Sequence, residues 1–590
     1  LELRDRNGSN ASPDSLPDVS AFHDMFTALS DMQDTYFQRW LGTWPDGIDW
    51  TRAVMSTHVA AALRTISDEL ELSRPNQGVE CTARKEEVIA GYFADVIAYY
   101  FAEDAFAIRN QAYDDMLWVV LGWLESIQFI DEHSRLLSSV ASAGAGTSTS
   151  PGAGTWYGSG WIPAFAHRAR VFWELAAKGW DTKLCGGGML WNPRLMPYKN
   201  AITNQLFISA SVSMYLHFPG DSNTSPFGAG AGAAAGTTSQ PLTTAEWPPH
   251  DPLFAHAAQD AHAWLTTSNM TNAQGLYADG FHISGHSSGS NNTRCDERDE
   301  MVYTYNQGVL LSGLLGLYQA TGREAYLREG HALIKNVIRA TGYDLVRNKP
   351  VDNIPPNRVP PWRGLGRAGV LEEACDAAGM CSQDAQTFKG IWMHHFAAFC
   401  APAALKFSGR FGSASPAGGD EAVRARHEAD CRRYIPWLRH NARAAMGTRD
   451  GKGLFGMWWT AGLLRLTAAS STEKDGVEAV PPPPPTEGGG GQVVDYRNWG
   501  VPMDEVWVPM GHGSRRPVSN HGGVRQKPLQ KPRSEGDKAG PGVGKREVPS
   551  SSDGGGVWDP NLRGRGRTVE TQGGGLAVLR ALWVVSRLEV

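Results

Sequence analysis

The chain has 590 residues, 41% of them hydrophobic and 20% charged, with a net charge of −6 and a pI near 6.3. That balance suits a globular protein with a large core, and it lacks the basic footprint of a nucleic-acid binder. No apolar run reaches about 18 residues without interruption, so no transmembrane helix is expected.

In chain order, residues 1–18 read as a polar tail. Helical periodicity then predicts helices over 19–41, 50–73, 85–101, 113–130, 160–179, 199–217, 252–268, 302–321, 323–341, 382–408, 421–446 and 568–588. Strand signals are few and short. Helices of similar length in this number fit an all-α (α/α)6 barrel, six helical hairpins closed into a ring. An open helical solenoid is the competitor, but no fixed repeat period supports it. Residues 138–155 and 222–244 are rich in Gly, Ala, Ser and Thr and read as flexible surface loops. Residues 472–565 carry Pro481 to Pro485, Gly488 to Gly491 and a basic run from Arg515 to Arg546. This segment reads as a disordered insertion. The apolar stretch from Gly573 to Val585 follows it, so one helical domain is expected over 19–471 plus 566–590.

The seven cysteines show no CxxC or Cys/His spacing for zinc. Cys375 and Cys381 could close a small ring, and Cys400 and Cys431 could staple two successive helices. An odd count leaves at least one thiol over. Sequons at Asn7, Asn10, Asn223, Asn269 and Asn291 suggest secretion, with any signal peptide already removed. No anchor signal is visible near the last helix, and a monomer is the default.

Five segments carry candidate chemistry. The first is Tyr113-Asp114-Asp115, ahead of a strongly apolar helix. Paired carboxylates can divide nucleophile and acid roles at a glycosidic bond. The plain alternative is two acids in the first turn of a helix, where free N–H groups favour them. The second is Cys185-Gly-Gly-Gly188, followed by Trp191 and then Tyr198, Lys199 and Asn200. Its glycines permit positive φ or close approach to a ligand. Trp191 could be a stacking platform for a sugar ring, or simply core. The third joins Asp279 to Tyr305, Asn306, Gln307 and Gly308, a set of donors and acceptors suited to hydroxyls. Helix capping by Asn306 is its plain alternative. The fourth is Phe388-Lys389-Gly390 near Asp384 and Trp392, where a solvated lysine on an amphipathic helix is the alternative. The fifth is the aromatic loop Gly453 to Trp459. Several of these lie near helix starts. If alternate starts share one rim of a ring, they gather at one mouth.

Tyr-Asp-Asp at 113–115, Cys-Gly-Gly-Gly at 185–188, Tyr-Lys-Asn-Ala at 198–201, Tyr-Asn-Gln-Gly at 305–308 and Phe-Lys-Gly at 388–390 together resemble glycoside hydrolase family 76, the endo-α-1,6-mannanases and related fungal wall enzymes. The resemblance spans roughly 20–470 plus the last helix. It implies an (α/α)6 barrel and a retaining mechanism with Asp114 as nucleophile and Asp115 as general acid/base. It implies substrate contacts from Tyr113, Trp191, Tyr198, Asn200, Asp279, Tyr305, Asn306, Gln307, Phe388 and Lys389, and neither a metal nor an organic cofactor. The expected activity is cleavage of α-1,6-mannan of the fungal or yeast wall by a secreted enzyme. A transglycosidase acting on the mannose-containing glycan of lipid-anchored proteins is a rival, as is a non-catalytic mannan-binding protein. An epimerase would more often rely on histidines, and none of the 17 lies inside these motifs; His394 and His395 are nearest.

Overall fold

The computed structural model describes residues 19–73, 79–144, 156–222, 247–286, 289–354, 359–402, 419–464, 500–503, 506–509 and 559–589. Helices dominate: α1 Ala21–Tyr36, α2 Asp49–Ser73, α3 Val79–Ala102, the single turn α4 Ala105–Ile108, α5 Tyr113–Gly144, α6 Ile162–Ala177, α7 Ala201–His217, α8 Pro252–Thr267, α9 Tyr305–Thr321, α10 Ala325–Ala340, α11 Gln383–Cys400, α12 Gly419–Arg432, α13 Ile435–Met446 and α14 Val569–Ser586. Short strands sit between them: β1 Tyr198–Asn200, β2 Gly280–His282 and β3 Glu297–Asp299 form one antiparallel sheet in that order.

Sequence pattern separates the helices into two layers. In α7, α9, α11 and α14 nearly every residue is buried, and their apolar side chains point all ways. Such helices need neighbours on every side. α10 instead buries one face, Tyr326, Leu327, Leu333, Ile334, Val337 and Ile338, and belongs outside. Packing follows this division. α2 packs on α5, α5 on α7, α7 on α9, α9 on α11, α11 on α14 and α14 back on α2, which closes the inner ring. Around it, α1 packs on α14 and α2, α3 on α2, α6 on α5 and α7, α8 on α7 and α9, α10 on α9, and α13 on α14. This is the (α/α)6 arrangement. α14 supplies the last inner helix, so the chain beyond the low-complexity segment is part of the ring.

Some boundaries differ from the periodicity. α5 continues to Gly144, taking in the start of the stretch read as a loop. α11 stops at Cys400 because Ala401 turns extended before Pro402. The helix expected over 421–446 is two helices, with Pro436 in the first turn of the second. Residues 145–155 and 223–246 and nearly all of 472–558 lie outside the described residues.

Close packing has a local cause at Gly308. A methyl group there would lie 2.6 Å from the Trp392 backbone, so only glycine lets α9 meet α11. Three disulfides cross-link the shell. Cys375–Cys381 and Cys400–Cys431 are the two pairs anticipated, and Cys185–Cys295 is a third. The side chain of Cys81 lies outside the described residues. Inside the ring, Trp118, His58, His394 and His395 line a void of only about 10 Å³ between α2, α5 and α11.

Candidate active site

All six inner helices start at one rim, and hydrogen bonds tie those starts together. Trp50 Nε1 of α2 donates to Asp384 of α11 at 2.8 Å. Thr51 Oγ1 of α2 and Gln383 Nε2 of α11 both donate to Glu570 of α14, at 2.8 and 2.9 Å. Asn306 Nδ2 of α9 donates at 3.1 Å to Asp279, whose carbonyl accepts from Ala201 N of α7 at 2.6 Å. The expected gathering of helix starts is thus present, and the N-terminal ends of the helix dipoles converge on the mouth.

Asp114 and Asp115 occupy the first turn of α5. Asp114 is buried, and its Oδ1 accepts from Asp115 N at 3.2 Å. Burial, followed by the charge of Asp279, pushes its carboxyl up to about 7, against hydrogen bonds including one from Trp191. Asp115 is partly buried, and its Oδ2 accepts from Ala112 N at 3.0 Å, which turns the carboxylate back over the helix end. Tyr113 N donates to Trp191 O at 2.8 Å, so the tryptophan segment is fastened directly to the acid pair.

The sheet brings Asp279 to the same place. Tyr198 Oη on β1 donates to its Oδ2 at 2.6 Å and Asn306 holds its other oxygen. Burial, then the neighbouring Asp299, raises Asp279 to about 7. Asp299, at the end of β3, is itself raised by burial. No lysine or arginine pairs with Asp114, Asp279 or Asp299 among the described residues. Tyr305 and Phe388 stack at 3.8 Å with a 9° interplanar angle, and Trp50 lies against Phe388 at 6.5 Å. These rings make an apolar wall beside the acids. Asn306 Oδ1 is buried with no protein partner.

The remaining sequence candidates have structural employment. Asn200 is buried and caps α7, accepting from Thr203 N at 3.4 Å. Gln307 is fully engaged: it accepts from Tyr277 N at 2.8 Å and donates to the carbonyls of Tyr277 and Tyr303 at 3.0 and 2.9 Å. It braces the loop that carries Asp279. Lys389 is buried in an ion pair with Asp376, with its ammonium 5.5 Å from the Trp459 ring. The structure does not bring it to the carboxylates at the mouth. Its neighbour Phe388 does reach the wall, because residues i and i+1 of a helix point apart.

Sequence reasoning passed over Trp50, Asp299 and His282, and named Lys199 without a role. His282 stacks on Tyr198 at 4.2 Å. Lys199 Nζ donates to the carbonyls of Asp181, Gly187 and Gly188 at 3.0, 2.8 and 2.6 Å. Gly187 and Gly188 have φ of 136° and 89°, so the triple glycine wraps a lysine and packs under Trp264. Lys199 stood in a motif and was readable. Asp299 and His282 sit in short strands that only the sheet pairing brings near.

Residues 249–408, well under half of the chain, match the model of glycosyl hydrolase family 76. No curated protein matches. Among solved structures, an inactive variant of α-1,6-mannanase GH76A of Salegentibacter sp. HEL1_6 in complex with α-1,6-mannotetrose is 15% identical, with a TM-score of 0.43, covering 75% of this chain and 92% of its own. Dfg5 from Chaetomium thermophilum in complex with glucosamine is 16% identical, with a TM-score of 0.44, covering 78% and 87%. A family 76 mannosidase from Bacteroides thetaiotaomicron is 13% identical, with a TM-score of 0.44, covering 74% and 90%. The matched stretch, 249–408, holds Asp279, Tyr305, Asn306 and Phe388 of the mouth, and in that stretch the chain is similar to glycosyl hydrolase family 76.

Proposed function

We propose that this chain is a retaining, endo-acting glycosidase of α-1,6-linked mannan in fungal or yeast walls, with Asp114 as nucleophile and Asp115 as general acid/base. The observation that carries the reading is the acid pair at the mouth. Asp114 is buried there without a cationic partner among the described residues, beside an aromatic wall and a second buried acid. Such a group stores reactivity at a cost in stability.

The steps follow from a two-carboxylate displacement. Ionised Asp114 attacks the anomeric carbon, and the glycosidic C–O bond breaks as Asp115 gives its proton to the leaving oxygen. Asp115 then takes a proton from water, whose oxygen attacks the anomeric carbon and frees Asp114. Asp279 would accept hydrogen bonds from sugar hydroxyls, held by Tyr198 and Asn306. Trp191, Tyr305 and Phe388 would face the apolar side of the ring.

The raised Asp114 favours one variant of this scheme, in which Asp114 keeps the proton and Asp115 attacks. Aryl mannosides with good leaving groups separate the two. They restore the first step when the acid is missing and not when the nucleophile is missing.

Secretion is supported by three disulfides, which persist in oxidising compartments, and by exposed sequon asparagines Asn269 and Asn291. No described helix is long and apolar enough to cross a membrane. We take the protein as a monomer. The test is incubation with unbranched α-1,6-mannan beside Asp114→Asn and Asp115→Asn, sizing the products and following their anomers. Short oligomannosides of initially retained configuration, lost in both variants, support the reading. Transfer to an added sugar acceptor in place of release would convert it to the transglycosidase. Binding without turnover would overturn it.

A further inference from the structure

Outside the barrel, one groove has no part in the chemistry above. It runs between α6 and the single turn α4 and encloses about 180 Å³, lined in part by Phe106, Arg109, His167, Arg168, Val171 and Leu175. Phe106 is 71% exposed, as is Phe101 at the end of α3. These rings are held in place rather than loose. The Arg109 guanidinium lies 4.7 Å over Phe106, and Phe101 meets Trp161 at 5.8 Å. Large exposed aromatics cost solvation and cluster where something binds.

The groove leads to the mouth. From His167 to Leu175 it follows α6 for about 12 Å by the helical rise. Shortly past Leu175, Gly179 packs against the Tyr113 ring, where an added methyl would sit 2.6 Å away. On the other wall, Arg109 precedes Tyr113 by four residues, and Asn110 is bridged to Arg194 at 3.1 Å beside the Trp191 segment. Both walls therefore continue into segments that pack at the start of α5, which carries the acid pair. The lining is mixed: Phe106, Val171 and Leu175 are apolar, Arg109 and the Nε2 edge of His167 are polar, and Arg168 is held by Glu103 at 3.1 Å while His167 Nδ1 meets Asp221 at 2.8 Å. An apolar face with donors beside it matches a sugar ring, which has C–H faces and a rim of hydroxyls.

We propose that this outer groove is a second carbohydrate-binding site, taking a stretch of the same α-1,6-linked polysaccharide beyond the part held at the mouth. The proposal rests on the reading that the substrate is such a polymer. Its occupant is chosen by continuity: a chain leaving the mouth over 109–113 meets Phe106 next and needs no separate partner.

The experiment pairs two readouts on the whole chain. Turnover of α-1,6-mannotetraose reports the mouth, and retardation in gels containing soluble α-1,6-mannan reports polymer binding. Phe106→Ser alters one wall and Leu175→Lys the other, so a shift of the 105–112 segment cannot mimic both. Each is expected to weaken polymer binding at least fivefold while tetraose turnover stays within twofold of wild type. Unchanged polymer binding in both variants overturns the groove and leaves the catalytic reading standing. Equal loss of tetraose turnover and polymer binding in both also overturns it, because the groove would then be scaffold. A wild-type chain that neither cleaves the tetraose nor binds the polymer overturns the functional reading and this proposal together.

Discussion

Two groups of buried acids lie near each other in this barrel and are treated in opposite ways. At the mouth, Asp114 and Asp279 are held by neutral donors, Trp191, Tyr198, Asn306 and backbone N–H groups. In the loop before α11, Asp376 pairs with Lys389, and Glu372 pairs with Arg367 at 2.9 Å and accepts from Trp458 at 2.8 Å. Burial is the largest cause of the upward shift in both places, taking Asp114 and Asp279 to about 7 and Asp376 to about 6. The difference lies in the compensation. Asp376 and Glu372 have cations and serve the fold. The mouth acids have none among the described residues, and on the proposed function their cost is what a substrate would exploit.

Substitutions can break this contrast, and the largest effect belongs to the mouth. Asp114→Asn is expected to lower turnover on α-1,6-mannan on the order of 10²- to 10⁴-fold, measured as product release. Lys389→Met tests the other side. It leaves Asp376 buried without its cation, a loss of about 3–5 kcal/mol in denaturant unfolding at pH 8. The loss shrinks at pH 5, where Asp376 protonates instead.

Asp279→Asn sharpens the account at intermediate size. Losing a charged acceptor costs about 1.5–3 kcal/mol in transition-state binding, roughly 10- to 100-fold in kcat/KM. It also removes a negative neighbour from Asp114, whose pKa then falls. With Asp114 as nucleophile, its ionisation sets the acidic limb of the pH profile, which moves to lower pH; with Asp114 as the acid, the basic limb moves to lower pH instead. The smallest effect is at Asn200. It lies at the rim but caps α7, so Asn200→Ala is expected to cost about 1 kcal/mol of stability with KM little changed.

The pH dependence of folding carries the same contrast. Asp114 and Asp279 rise from 3.8 to about 7 on folding, so the native state binds more protons than the unfolded chain between those values. Their contribution therefore falls as pH rises from about 4 to 7, and the full cost remains above that.

How much was legible in the sequence depended on the scale of the pattern. The ring could be read because helical periodicity recurs in twelve stretches of similar length, while the division into inner and outer helices came with the structure. The link across the low-complexity segment was readable because Gly573 to Val585 is too apolar to stand alone. The break between α12 and α13 was blurred because Pro436 is tolerated in a first turn. At the site, the acid pair and its Tyr-Lys-Asn and Tyr-Asn-Gln companions stood out as local strings. Pairing was not local: nothing in the string Phe388-Lys389 says that the ring faces the mouth while the ammonium meets Asp376. Asp299 and His282 depend on the register of three-residue strands, which sequence pattern does not set.

The most direct test of the contrast takes turnover and thermal stability of Asp114→Asn together at pH 8. The account predicts that turnover on α-1,6-mannan is lost while Tm rises by a few degrees, because a costly buried charge is gone, with little rise at pH 5. Retained turnover, or a lower Tm at pH 8, would contradict it.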